Sequence, residues 1–195
     1  MLAGMLKDYS AHRSTLEAYF AAFKSVPDAP RTVFLRHGLG IVRPNGDFEI
    51  VEAAPVDKFI LATNDLIAIV GRQKAFEIGL KFVDHVRHPE GATDIASAMQ
   101  IFDNGYHLNH LKNGVPMFDP ETGTMIEGIG HYKCTMTSKH RAVMEVDTPY
   151  DCDLDRGIMQ GWARLFEKSA LVTHLEPSVC RKNRSPRCRY EVSWK

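Results

Sequence analysis

One stretch restricts the fold of this chain more than any other, the segment from Pro149 to Trp194. Within it, apolar residues at Ile158, Trp162, Leu165 and Phe166 recur at helical spacing and predict a helix over 153–168. Gly157 and Gly161 fall one turn apart on that helix and suit close packing at a dimerisation surface or against the sheet. Leu171 to Cys180 and Cys188 to Trp194 then read as a closing hairpin. Cys152 stands at the helix start, and Cys180 and Cys188 flank the hairpin turn. Three thiols at the joints of a helix and a hairpin can converge on one ion, and three thiolates complete most of a tetrahedral zinc shell. His174 and Glu176 have the strand parity to face Cys180, so either can supply a fourth ligand. The alternative is that the cysteines are buried, inert small apolar groups.

The remainder sets the surroundings of this segment. A helix is expected over Ser14 to Lys24, where Leu16, Tyr19, Phe20 and Phe23 share a face, with Asp28-Ala-Pro30 ending it. Thr32 to Val42 reads as a strand. The turn Pro44-Asn-Gly46 returns Phe48 and Ile50 as its hairpin partner. Val56 to Val86 and Ala92 to Phe102 carry helical periodicity, and 131–138 and 142–147 read as two strands around a turn. The order is helices, then strand, strand, helix, strand, strand. It predicts an α+β fold over 1–195, a small antiparallel sheet covered by N-terminal and central helices.

Charge narrows the function classes. With 24 basic and 24 acidic residues the formal net charge is zero, which removes the global attraction on which sequence-independent nucleic-acid binding depends. The hairpin turn is locally basic (Arg181, Lys182, Arg184, Arg187, Arg189). It reads as a solvated turn or as a contact for an anionic ligand, an acidic partner or nucleic acid. The stretch Phe59 to Gly71 is broken by Asn64 and Asp65 and is too short and polar to span a bilayer. No secretory h-region opens the chain, so a cytoplasmic location with reduced thiols is expected.

The run Cys152, Gly157, Gly161, Cys180-Arg-Lys-Asn-Arg-Ser-Pro-Arg-Cys188-Arg-Tyr190-Glu-Val192 resembles the C-terminal signature of 4-vinyl reductase domains. These share a fold with the haem-based nitric-oxide-binding domains and the small core subunits of Golgi transport (TRAPP) complexes. The resemblance covers about the last fifty residues and is architectural before them. It implies a small-molecule-binding module in which Cys152, Glu176, Cys180 and Cys188 would hold a structural zinc ion. This chain departs from the pattern at one ligand. The family's acid stands three residues before the first hairpin cysteine, where this chain has Pro177 and places Glu176 one position further away.

Candidate ligand contacts lie upstream. His107 and His110 have a spacing that puts both imidazoles on one helix face if the helix continues there, where they could bind a metal or a tetrapyrrole iron, and His131 is a further candidate axial ligand. The Tyr-x-Ser-x-Arg motif of haem nitric-oxide sensors is missing. Phe102, Tyr132, Met136, Met159 and Trp162 can line an apolar pocket or simply fill the core. His107, His131, Tyr132 and Trp162 are thus the expected ligand or cofactor contacts. No nucleophile elbow, phosphate loop, dinucleotide fingerprint or His-Glu-x-x-His motif occurs. The sequence therefore points to a non-catalytic sensory domain for an apolar, aromatic or tetrapyrrole ligand, acting as a homodimer or through a separate regulatory protein. Two other readings stay open: an enzyme or accessory of tetrapyrrole metabolism, and a structural adaptor dimer resembling the transport subunits.

Overall fold

The computed structural model describes residues 6–23 and 28–195. The expected end of the first helix at Lys24 lies outside them. In chain order the elements are β1 (Tyr9–His12), α1 (Arg13–Ala22), α2 (Ala29–His37), β2 (Gly40–Val42), β3 (Phe48–Ile50), β4 (Ala53–Pro55), α3 (Val56–Val70), α4 (Arg72–Phe82), α5 (Ile95–Gln100) and α6 (Phe102–Leu108). There follow β5 (His110–Lys112), β6 (Val115–Pro116), β7 (Tyr132–Ser138), β8 (Arg141–Val146), α7 (Cys152–Phe166), β9 (Leu171–His174) and β10 (Cys188–Ser193).

The C-terminal half follows the alternation written in it. Strands β7, β8, β10 and β9 form an antiparallel sheet in that order. In β10, Cys188, Tyr190 and Val192 are buried, while Arg189, Glu191 and Ser193 alternate outward and are partly exposed. The two-residue period thus selects the face that meets α7. The start of α7 is fixed by Asp151, whose carboxylate accepts the N–H groups of Asp153 and Leu154.

The N-terminal half differs from expectation at one point. Thr32 to His37 belongs to a helix, not to a strand; only Gly40–Val42 of the expected strand pairs, with Phe48–Ile50. Pro30 occupies the first turn of α2, where its missing N–H costs nothing, and Gly38 closes the helix in the left-handed conformation (φ 70°). Asp28-Ala-Pro30 therefore begins a helix. A second sheet, β4-β1-β5-β6, is built from strands too short to announce themselves in sequence.

Two buried clusters share α7. Met159 and Trp162 pack with the large sheet, alongside Met144, Val146, Tyr190 and Val192. Leu154 packs with Leu16, Tyr19, Phe34, Phe59 and Ile78 from α1 to α4. Gly157 and Gly161 meet α4, neither the sheet nor a second copy. A Cβ on Gly157 would stand 2.2 Å from the Phe76 carbonyl oxygen, and one on Gly161 would stand 2.6 Å from that of Leu80. Gly79 answers from α4, its Cβ position lying 2.4 Å from the Leu154 carbonyl oxygen.

Candidate functional sites: an aromatic cavity and a thiol cluster

A cavity of about 90 Å³ opens where the helices meet the large sheet. Its aromatic walls are Tyr19 from α1, Phe59 from α3, Phe82 from α4, Phe102 and Tyr106 from α6, Tyr132 from β7 and Trp162 from α7, with Tyr150 from the turn before α7. The rings hold one another edge-on. Tyr19 and Phe59 have centroids 5.3 Å apart, Phe102 and Tyr132 4.8 Å, and Tyr106 and Tyr132 5.1 Å. Trp162 is further fixed by its indole N–H, which donates to the Ala98 carbonyl at 2.8 Å. Of the expected pocket residues, Phe102, Tyr132 and Trp162 line the cavity. Met136 and Met159 pack in the sheet-facing core instead.

Few polar atoms face this space, and most are committed. His110 has Nδ1 2.8 Å from the Tyr106 carbonyl and Nε2 2.7 Å from the Tyr150 hydroxyl. Nδ1 therefore carries the proton and Nε2 accepts from the tyrosine. Burial pushes the His110 pKa down to about 4, so the ring is neutral near pH 7. Tyr19 is the exception. Its hydroxyl is buried with no partner in hydrogen-bonding geometry; the Thr63 hydroxyl beside it donates to the Phe59 carbonyl at 2.8 Å and keeps its own lone pairs for accepting.

The thiols do converge. Cys152 Sγ lies 3.3 Å from Cys188 Sγ and 3.2 Å from Cys180 Sγ, and the two hairpin sulfurs are 3.6 Å apart, all three buried. Cys134 stands on β7 and takes no part. Cys188 is held well below the usual thiol range by its bond with Cys152 and by Arg181, whose backbone N–H and Nε lie 3.4 and 3.5 Å from its sulfur. Glu176 is not brought to the sulfurs: it is exposed and lies 3.6 Å from Arg189 in an ion pair. His174 is closer to the role. It lines a small hollow with Cys152, Pro177, Cys180 and Tyr190, and its Nε2 is buried without a partner.

The basic turn is largely neutralised from within. Arg181 reaches inward to pair with Asp155, which is fully buried on α7, and also contacts Thr148. Asp155 accepts further bonds from Tyr132 (2.7 Å) and Thr148 (2.9 Å), and burial holds its carboxyl above the ordinary range in spite of them. Lys182 pairs with Asp151 and Asp153, and Arg187 and Arg189 with Glu145. Asp155 lines the cavity and Arg181 touches the thiols, so one buried chain of polar contacts joins the two sites. Sequence reasoning missed this pair. The available signal was an acidic residue on the apolar face of α7, a position charged groups occupy only when paired.

The expected ligand residues separate into two places. Tyr132 and Trp162 stand in the cavity walls. His107 and His131 stand outside them, together with Asp103.

No protein-family model matches the chain, and no curated protein matches it in sequence. Solved structures do. An H-NOX protein from S. oneidensis in its Fe(II)NO ligation state superposes with a TM-score of 0.64 at 9% identity, over 94% of this chain and 99% of the other. The fold is the H-NOX fold. A point variant of Tt H-NOX gives 0.62 at 13% identity, over 94% and 95% of the two chains. An oxygen-binding H-NOX domain related to soluble guanylate cyclases gives 0.59 at 14%, over 94% of each. At such identities the likeness establishes shared architecture and leaves chemistry to the residues themselves. The α+β class, expected from the order of elements, and the fold shared with the haem-based nitric-oxide-binding domains, implied by the resemblance of the last fifty residues, thus agree with the structure. Among the described residues no helix is long and apolar enough to cross a membrane.

Proposed function

We propose that this chain is a small-molecule-binding sensory domain of the 4-vinyl reductase type, whose ligand is a small aromatic compound bearing a hydrogen-bonding group. The buried, uncommitted hydroxyl of Tyr19 at the wall of an aromatic cavity carries this reading. An apolar enclosure with a few placed polar groups is the ordinary form of a ligand site, and an unmatched buried hydroxyl is costly until a ligand satisfies it. Occupancy would reach the surface through Tyr132, Asp155 and Arg181, and from there a dimer partner or a separate regulator.

Trp162 makes the proposal testable. In a Trp194→Phe background its fluorescence is expected to change on titration with single-ring phenols and with the matching hydrocarbons. Tyr19→Phe is expected to weaken the phenols about 2- to 12-fold, the value of one hydrogen bond, and to leave the hydrocarbons unchanged. No response to any member of the panel would remove the reading.

The thiol cluster is proposed as a structural zinc site. Three buried sulfurs within 3.6 Å of one another suit the ion, and His174, with its orphaned Nε2, fits the fourth position better than the ion-paired Glu176. The ion would tie the start of α7 to the β9–β10 hairpin. Elemental analysis of reductant-treated protein is expected to find stoichiometric zinc retained, with one equivalent per chain fewer in Cys180→Ser. Absence of stoichiometric zinc would sink the site.

The H-NOX neighbours make haem the alternative ligand. The histidines expected as its ligands do not serve it: His110 has both ring nitrogens engaged, and His107 and His131 lie outside the cavity walls. Titration with haemin is expected to give no Soret band of a histidine-ligated haem.

A further inference from the structure

A second group of metal-ligating side chains stands apart from both sites. Asp103 and His107 lie one turn apart on α6, and His131 immediately precedes β7. One carboxylate oxygen and one nitrogen from each imidazole lie within 4.8 Å of one another. Asp103 Oδ2 is 2.7 Å from His131 Nδ1, and the imidazole centroids of His107 and His131 are 5.1 Å apart.

Two further observations point to a ligand. His107 is fully buried, and its Nε2 has no hydrogen-bond partner. Its Nδ1 lies 2.9 Å from the Asp103 carbonyl oxygen, which only accepts, so Nδ1 carries the proton and Nε2 holds an unused lone pair. Buried polar atoms without partners are uncommon and call for a missing one. His131, in turn, has Nε2 2.6 Å from the Glu127 carboxylate, leaving Nδ1 on the Asp103 side. A carboxylate on the far nitrogen of an imidazole is the arrangement that fixes the tautomer and orientation of a metal-bound histidine. Glu127 is mostly exposed, which gives an ion a route from solvent. Asp103 is also anchored, since its Oδ1 accepts the Tyr132 N–H at 2.8 Å.

We propose that Asp103, His107 and His131 form a binding site for a divalent transition-metal ion, with Glu127 as the positioning residue of His131. Two imidazoles and one carboxylate suit borderline ions such as Co²⁺, Ni²⁺, Cu²⁺ or Zn²⁺ rather than Ca²⁺ or Mg²⁺, and three protein ligands leave open coordination positions. The site is independent of the cavity and of the cysteines, and it does not rest on the function proposed above.

Co²⁺ titration of the reduced, metal-stripped full chain tests it, followed by visible absorption and calorimetry. The expected result is an equivalent of Co²⁺ whose spectrum lacks thiolate-to-metal charge transfer and which persists in Cys180→Ser. Glu127→Gln, an exposed change that leaves the fold intact, is expected to weaken this equivalent about 10- to 100-fold. His131→Ala and Asp103→Asn are expected to abolish it. Co²⁺ bound only with charge-transfer bands, or bound equally by Glu127→Gln and His131→Ala, would overturn the site while leaving the zinc and cavity proposals standing.

Discussion

At the scale of single residues, His110 shows how burial turns a titratable group into a structural one. Its ring bridges the Tyr106 carbonyl and the Tyr150 hydroxyl while neutral, and burial holds its folded pKa near 4 against an ordinary 6.5. Because the folded value lies below the unfolded one, the unfolded chain takes up the proton first as pH falls. The His110 contribution to stability is therefore complete above about pH 6.5 and is lost progressively towards pH 4, about 3 kcal/mol in all. Urea unfolding at pH 7, 5.5 and 4.5 is expected to show this slope, and His110→Gln to flatten it. Equal slopes in the two proteins would show that His110 is protonated in the folded state. Asp155 and Arg181 follow a different logic. Burial disfavours the charge on each, and they remain because they face each other directly, with Tyr132 and Thr148 filling the remaining bonding positions.

At the scale of elements, the pairing of α4 with α7 depends on the absence of side chains. Gly79, Gly157 and Gly161 bring the two backbones so close that a Cβ on Gly157 would stand 2.2 Å from the Phe76 carbonyl oxygen. That neighbour is backbone and cannot swing aside. Gly157→Ala is expected to cost at least the 1–3 kcal/mol or so typical of overpacking, despite the better helix propensity of alanine. Chemical denaturation checks this, and an unchanged or stabilised protein would mean that the helices are free to move apart. The sequence displays these glycines plainly, and it displays the strands of the large sheet through their alternation. It does not display what the glycines pack against, because small residues announce closeness and not the identity of the neighbour. Thr32 to His37 reads as a strand for a related reason. Val33 and Leu35 alternate as a strand would, and only the Pro30 start and Gly38 stop disclose the helix. The thiols and the cavity aromatics are legible as residue types. The inward turn of Arg181 is not, since an arginine among four other basic residues looks solvated until its buried partner on another element is known. The departure of Glu176 towards Arg189 is equally a matter of local pairing that no spacing reveals.

At the scale of the whole molecule, α7 determines how the parts respond together. Its Leu154 end belongs to the cluster formed by α1 to α4, its Met159 and Trp162 to the cluster under the large sheet, and its first residue to the thiol group. The cavity lies between, with walls from both clusters: Tyr19 and Phe59 on one side, Phe102, Tyr132 and Trp162 on the other. A ligand seated there touches both halves at once and cannot stabilise one without the other. Thermal unfolding followed by Trp162 fluorescence and by far-ultraviolet circular dichroism is therefore expected to give coincident transitions, with and without ligand. At a free ligand concentration of about 100 times Kd, the folded state gains about 2.7 kcal/mol. For a chain of 195 residues that raises the midpoint of both transitions together by about 5–11 °C. If ligand shifted the Trp162 transition alone, the halves would be thermodynamically separate. The route from cavity to thiols through Asp155 and Arg181 would then carry no signal, because a state confined to one half has nothing to transmit to the other.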